Sequence, residues 1–141
     1  AVIQTLKESG APANVLRING WTTFLIRSNW EIAGSINDDT VSVLQALNKK
    51  INTTADEPGF ISARVISMII NEAYFAVEDN VSSKQEIDTA MKLGTNYPYG
   101  PFEWAELIGT QNILALLQKL NETDARYQPA ELLYKEVNEN K

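Results

Sequence analysis

The sequence predicts a mostly α-helical protein: an all-helical part over residues 58–141, preceded by a small α/β segment over residues 1–57. Three observations carry this. From Pro58 onward apolar residues recur at helical spacing. Before it, runs rich in β-formers alternate with helix-start signals, the order of a piece of an α/β sheet. Helix punctuation then recurs along the second part, with capping residues and prolines at starts and glycines at stops.

Taken in order, "VIQTLKES" (2–9) reads as a short helix stopped by Gly10. "NVLRI" (14–18) reads as a strand, with Asn19-Gly20 as a turn, and a second strand is expected within 23–34. "INDDTVSVLQALNKKI" opens with an Asn/Asp helix start, and Val41, Leu44, Leu47 and Ile51 form its expected buried stripe. Asp38 and Asp39 suit the positive end of that helix dipole, Lys49 and Lys50 the negative end. "INTTA" (51–55) is a third strand.

The long helix 60–78 shows two apolar faces, one with Ile61, Val65, Met68, Ile69 and Ala76, the other with Ile66, Ile70, Ala73 and Val77. Arg64, Ser67, Asn71 and Glu78 mark a polar line between them. Two apolar faces need two partners, the core and a second layer or subunit. "SKQE" (83–86) is a capping box for a helix expected to end at Gly94. "TNYPYGP" is a loop, and Pro101 starts "PFEWAELI", which Gly109 breaks. "TQNILALLQKL" follows, and Pro129 starts the last helix.

Composition narrows the function. Cysteine is absent, which excludes disulfides and thiolate metal sites. The net charge of −6, with no Lys/Arg cluster, argues against nucleic acid as a partner. No run reaches the ~18 apolar residues of a membrane span and no signal peptide opens the chain, so no membrane association and a cytoplasmic location are expected. Histidine is absent too, removing the commonest general base and the commonest metal ligand. No metal is expected. Glycines fall in neither dinucleotide nor phosphate-loop spacing.

Three clusters remain as candidates. Glu103 and Glu106 lie three apart on one helix, which reads more simply as a solvated face than as a cation site. Trp30 beside Glu31 admits a carboxylate against an aromatic wall, or an ordinary strand-end Glu. Tyr97, Tyr99, Phe102 and Trp104 gather around Gly100-Pro101, either lining an apolar pocket or packing a loop on the helical core.

The ordered motifs are more specific. "PGFISAR" (58–64), "NEA" (71–73), "IDTAMKLG" (87–94), "YPYGPFEWAELIG" (97–109) and "RYQPAELL" (126–133) resemble the C-terminal domain of the 3-hydroxyacyl-CoA dehydrogenases. The resemblance covers residues 58–137 in order; residues 23–55 look like the last pieces of the family's Rossmann-type NAD-binding domain. It implies an oxidoreductase of fatty-acid β-oxidation that dimerises through its helical domain and oxidises 3-hydroxyacyl-CoA to 3-oxoacyl-CoA with NAD. In that family a His takes the hydroxyl proton, a Glu orients the His, and a Ser and an Asn bind the substrate oxygen.

Carried over by motif, "NWEIA" places Glu31 at the family carboxylate and Asn19 at the His position. "GFISAR" places Ala63 at the Asn position, and the Ser falls near or before residue 1. Tyr97, Tyr99 and Phe102 are the expected substrate-binding residues, and no residue is assigned to the cofactor. The expectation is a truncated or degenerate homologue, weakly active or inactive alone, with NAD belonging to the family and not to this chain. An acyl-CoA-binding module and a purely structural homodimer domain are the alternatives.

Overall fold

A computed structural model of the chain describes residues 2–139. The chain divides into two compact units, up to Arg64 and from Val65 onward. Among the described residues, no helix is long and apolar enough to cross a membrane.

The first unit is built on a three-stranded sheet of order β1-β2-β3. Its elements are α1 (Leu6–Ser9), β1 (Arg17–Ile18), α2 (Thr22–Leu25), β2 (Asn29–Ala33), α3 (Asp38–Ala46) and β3 (Lys50–Thr53). β1 pairs antiparallel with β2, Ile18 opposite Ile32. β3 pairs parallel with β2, Glu31 opposite Asn52, and α3 makes the crossover. The central strand β2 supplies the core, with Ile32 and Ala33 completely buried.

Sequence signals locate most elements and miss some edges. Thr5 caps α1 in a capping box with Glu8, and Gly10 ends it at φ 65°, but the helix is only one turn long. The run 23–34 splits into α2 and β2, because the apolar start "TFL" packs as a helical turn with Phe24 buried. α3 starts at Asn37, whose side chain accepts from the Thr40 N–H. Of its predicted stripe Leu44 is buried, while Leu47 is 55% exposed. Leu47 lies beyond the last helical turn, so the 3.6-residue period no longer sets its direction.

α4 (Ser62–Glu78) starts in the first unit and continues into the second. It begins two residues later than the sequence suggests, because Gly59 and Phe60 adopt left-handed backbone at φ 84° and 50°. Its polar line is not a solvent face: Ser67 and Asn71 are both fully buried, while Ile61 and Val65 are 56% and 50% exposed. Asn71 tolerates burial because its amide finds backbone on both sides. Nδ2 donates to the Gln128 carbonyl at 2.8 Å, and Oδ1 accepts the Ala130 N–H at 2.9 Å. One buried side chain thereby fixes the approach to the last helix.

The second unit holds the rest of α4, then α5 (Lys84–Thr95), α6 (Pro101–Ile108), α7 (Thr110–Asn121), a 3₁₀ turn (Ala125–Tyr127) and α8 (Glu131–Glu139). The Ser83–Glu86 capping box starts α5 as predicted. Gly94 does not end it: Asn96, in left-handed conformation, does. α8 starts two residues after Pro129, where the Glu78 carboxylate accepts the Leu132 N–H.

The step from α5 to α6 ties two distant motifs. Asp88 on α5 accepts the Phe102 N–H at 2.8 Å and the Glu103 N–H at 3.2 Å, capping α6 from outside its own sequence. Gly100 makes room for it, since a Cβ there would lie 2.3 Å from Asp88 Oδ1. Gly100→Ala is therefore expected to displace Asp88 and lower stability by about 1–3 kcal/mol, the range of an overpacked site plus a lost cap. Urea denaturation reads the loss; an unchanged midpoint would contradict this account of the glycine.

Candidate functional site

The polar centre of the first unit is Glu31, 8% exposed on the central strand. Strand alternation turns it away from the Trp30 side chain. The Trp30 indole N–H donates to the Leu25 carbonyl at 3.0 Å, and the Lys49 ammonium lies 4.8 Å from its ring centre. The aromatic-wall reading of the Trp30-Glu31 pair therefore fails: the carboxylate meets polar groups. Asn19, 4% exposed just after β1, donates its Nδ2 to Glu31 Oε2 at 3.0 Å. The Ser62 N–H, at the first residue of α4, donates to Oε1 at 3.0 Å and to Oε2 at 3.3 Å. A carboxylate at a helix N-terminus is stabilised by the unpaired amides and the dipole.

Asn19 is held at its other end too. Its Oδ1 accepts the Trp21 N–H at 3.4 Å, and its backbone N–H donates to the Glu31 carbonyl at 3.2 Å. Thus the two residues that the sequence aligned with a proton-transfer pair do meet, joined at both backbone and side chain. A carboxamide in that place donates and accepts hydrogen bonds but does not take up a proton near neutral pH. Ala63, next to Ser62 in the first turn of α4, is fully buried and brings no polar atom.

Around this pair lies an open depression of about 430 Å³, lined by Asn19, Phe24, Arg27, Ser28, Asn29, Trp30, Glu31, Asn52 and Ser62. Five of these are neutral hydrogen-bonding residues, Phe24 and Trp30 add apolar surface, and Arg27 and Glu31 carry opposite charges. Asn52 and Ser62 were not singled out from sequence. Asn52 enters because β3 pairs in parallel register with β2, and Ser62 acts through its backbone, which no side-chain motif records.

Arg17 fastens the first unit. It is 4% exposed and forms an ion pair with Asp56 at 3.2 Å. Its guanidinium donates to the carbonyls of Gln4, at 2.9 Å, and Glu57, and lies 4.3 Å from the Phe60 ring centre. Burial pulls its pKa below the ordinary arginine value, against the opposing pull of Asp56. Asp56 also accepts the Leu6 N–H at 2.9 Å and so caps α1.

The aromatic cluster expected at 97–104 separates in the second unit. Tyr97 and Tyr99 pack edge-on against Trp104 at 5.4 and 6.0 Å, whereas Phe102 pairs with Tyr74 at 5.0 Å. Tyr74 and Phe102 border a second depression of about 420 Å³. There the Lys84 ammonium lies 5.0 and 5.1 Å from the two ring centres and pairs with Glu136. Glu136 also accepts the Tyr74 hydroxyl at 2.7 Å, and burial, reinforced by this carboxylate, raises the Tyr74 pKa strongly. Neither Tyr97 nor Tyr99 lines this depression.

Glu103 is spoken for: it pairs with Lys92 at 2.5 Å and accepts the Gly100 N–H at 2.9 Å. Lys92, foremost, lowers its pKa. Among the described residues no group of three His, Cys, Asp or Glu is placed to hold a metal.

The profile described as "3-hydroxyacyl-CoA dehydrogenase, C-terminal domain" matches residues 59–141, and the chain belongs to the 3-hydroxyacyl-CoA dehydrogenase family. It is 44% identical over 108 residues to the 3-hydroxyadipyl-CoA dehydrogenase of Escherichia coli K12, covering 72% of this chain and 23% of that protein. The solved 3-hydroxybutyryl-CoA dehydrogenase of E. coli K12 matches at a TM-score of 0.69 and 41% identity, over 77% of this chain and 25% of the other. The (S)-3-hydroxybutyryl-CoA dehydrogenase of Ralstonia eutropha matches at 0.82 and 26% identity, over 99% of this chain and 54% of the other. The chain thus spans about a quarter to a half of these proteins.

Replacing Arg17 by Met should leave Asp56 and two carbonyls without their shared donor. A loss of about 2–4 kcal/mol is expected, the order of a broken buried pair whose partner keeps some solvent. Thermal unfolding of R17M measures it, and a change under about 0.5 kcal/mol, the range of ordinary surface substitutions, would refute the role.

Proposed function

We propose that this chain holds acyl-CoA in a 3-hydroxyacyl-CoA dehydrogenase-type arrangement and does not by itself oxidise it. The observation that carries this reading is the Asn19–Glu31 pair: the carboxylate is kept and oriented, but its partner is an amide. Removal of a 3-hydroxyl proton needs an acceptor, and loss of a general base typically costs ~10²–10⁴-fold in rate. Ala63 supplies no hydrogen bond to a substrate oxygen. The neutral donors and acceptors lining the depression suit the hydroxyl, carbonyl and amide groups of a 3-hydroxyacyl thioester.

The residues present do not fit the dinucleotide that the family reaction uses. The parallel β2–α3–β3 unit lacks the glycine-rich turn into a free helix N-terminus that seats a pyrophosphate. Here the Asn37 side chain caps that end and Asp38 and Asp39 fill its first turn. Two carboxylates at this position repel a pyrophosphate.

With NAD and 3-hydroxybutyryl-CoA, the purified chain is expected to show turnover at least ~10²-fold below a family member carrying the His. Titration calorimetry with the same thioester is expected to give saturable heat that Glu31→Ala abolishes. Turnover at family rates would overturn the non-oxidising reading, and absence of heat would overturn the binding one.

The structural reading keeps one specific support. Val65 on α4 and Leu107 on α6 are 50% and 48% exposed, two apolar side chains of the helical part that a homodimer contact would cover. If that reading is correct, sedimentation velocity finds a dimer that Val65→Asp converts to monomer; a monomeric wild-type chain would dismiss it.

A further inference from the structure

We infer that Asn19-Gly20 is a site of spontaneous deamidation, and that the folded protein restrains it through the hydrogen bond from Asn19 to Glu31. Asn19 is the only asparagine in the sequence followed by glycine. The chemistry requires no oxidant or enzyme. The Gly20 backbone nitrogen attacks Asn19 Cγ, forming a C–N bond that closes a five-membered imide. The Cγ–Nδ2 bond breaks, and Nδ2 leaves as ammonia, taking up the proton that Gly20 loses. Water then opens the imide at either carbonyl, giving aspartate or isoaspartate.

Glycine favours this step because no side chain crowds the attacking nitrogen, and the loop around it is open. Gly20 is exposed, and a Cβ on it would meet no atom within 4 Å. The restraint lies on the Asn19 side. Its side chain is held by Glu31 at 3.0 Å and by the Trp21 N–H at 3.4 Å, in a residue only 4% exposed. Ring closure expels Nδ2, the atom bonded to Glu31, and leaves a buried carboxylate one donor short. Imide formation therefore runs through local opening of the loop rather than from the closed state.

The product changes the site chemically. Aspartate at position 19 sets a second carboxyl against Glu31, and two carboxyls at hydrogen-bonding distance do not both ionise readily. A proton-accepting pair then stands where the amide accepted none. This inference holds whether or not the depression takes acyl-CoA.

Incubating the folded chain and the urea-unfolded chain at mildly alkaline pH, then mapping peptides by mass and by isoaspartyl methylation, tests it. Unfolded protein should convert at Asn19 before any other asparagine, and folded protein should convert more slowly by at least about tenfold, the weight of one hydrogen bond to a charged group. In the folded state, Glu31→Ala should restore about tenfold of that rate. If circular dichroism shows that E31A does not fold, Glu31→Gln replaces it, with a smaller acceleration of the same sign. Gly20→Ala should slow conversion in the unfolded chain. Equal rates in folded and unfolded wild type, a folded Glu31 variant no faster than wild type, or an unaffected G20A would each overturn the inference.

Discussion

Helix N-termini present backbone N–H groups that must find acceptors, and this chain meets that demand with side chains from distant segments. Asp56 closes the start of α1 from 50 residues away. Glu31 closes the start of α4 across 31 residues, Asp88 the start of α6 across 14, and Glu78 the start of α8 across 54. Each contact neutralises an N-terminal dipole and fixes which segments lie side by side. Local caps add to this at Thr5, Asn37 and Ser83, but only the long-range ones also join segments distant in sequence.

This constraint explains why the family-like motifs come as a set. "IDTAMKLG" and "YPYGPFEWAELIG" are two halves of one lock, Asp88 with the amides beyond Gly100. "NEA" and "RYQPAELL" are another, Asn71 with Gln128 and Ala130. "PGFISAR" and "NWEIA" meet as Ser62 and Glu31. These motifs secure packing whether or not the chain does chemistry. A sequence thus resembles a dehydrogenase throughout its helical part while position 19, aligned by motif with the family's His, carries an amide.

Glu31 joins the two themes. Its carboxylate is a helix cap and also the polar centre of the depression, so the scaffold retains it for reasons independent of catalysis. In this chain without histidine, Glu31 orients Asn19, and Asn19 in turn ties β1 to β2. The same economy appears at Glu136, which joins the Tyr74 hydroxyl to the Lys84 ammonium over two aromatic rings.

What the sequence by itself determined were the features decided within about four residues. These are the capping box at Ser83, the proline start at Pro101, the break at Gly109 and the left-handed stop at Gly10. The family was legible as well, because ordered motifs survive translation into letters. Only the tertiary structure decided that Ser67 and Asn71 belong to the core, that Phe102 leaves Tyr97 and Tyr99 to join Tyr74, and that Asn19 meets Glu31. A helical period shows that residues share a face but not what covers it, and a polar side chain looks solvent-facing until its distant partner is known. Propensity and capping are local energies, whereas burial and pairing depend on which remote segment folds back, and that is set by the whole chain.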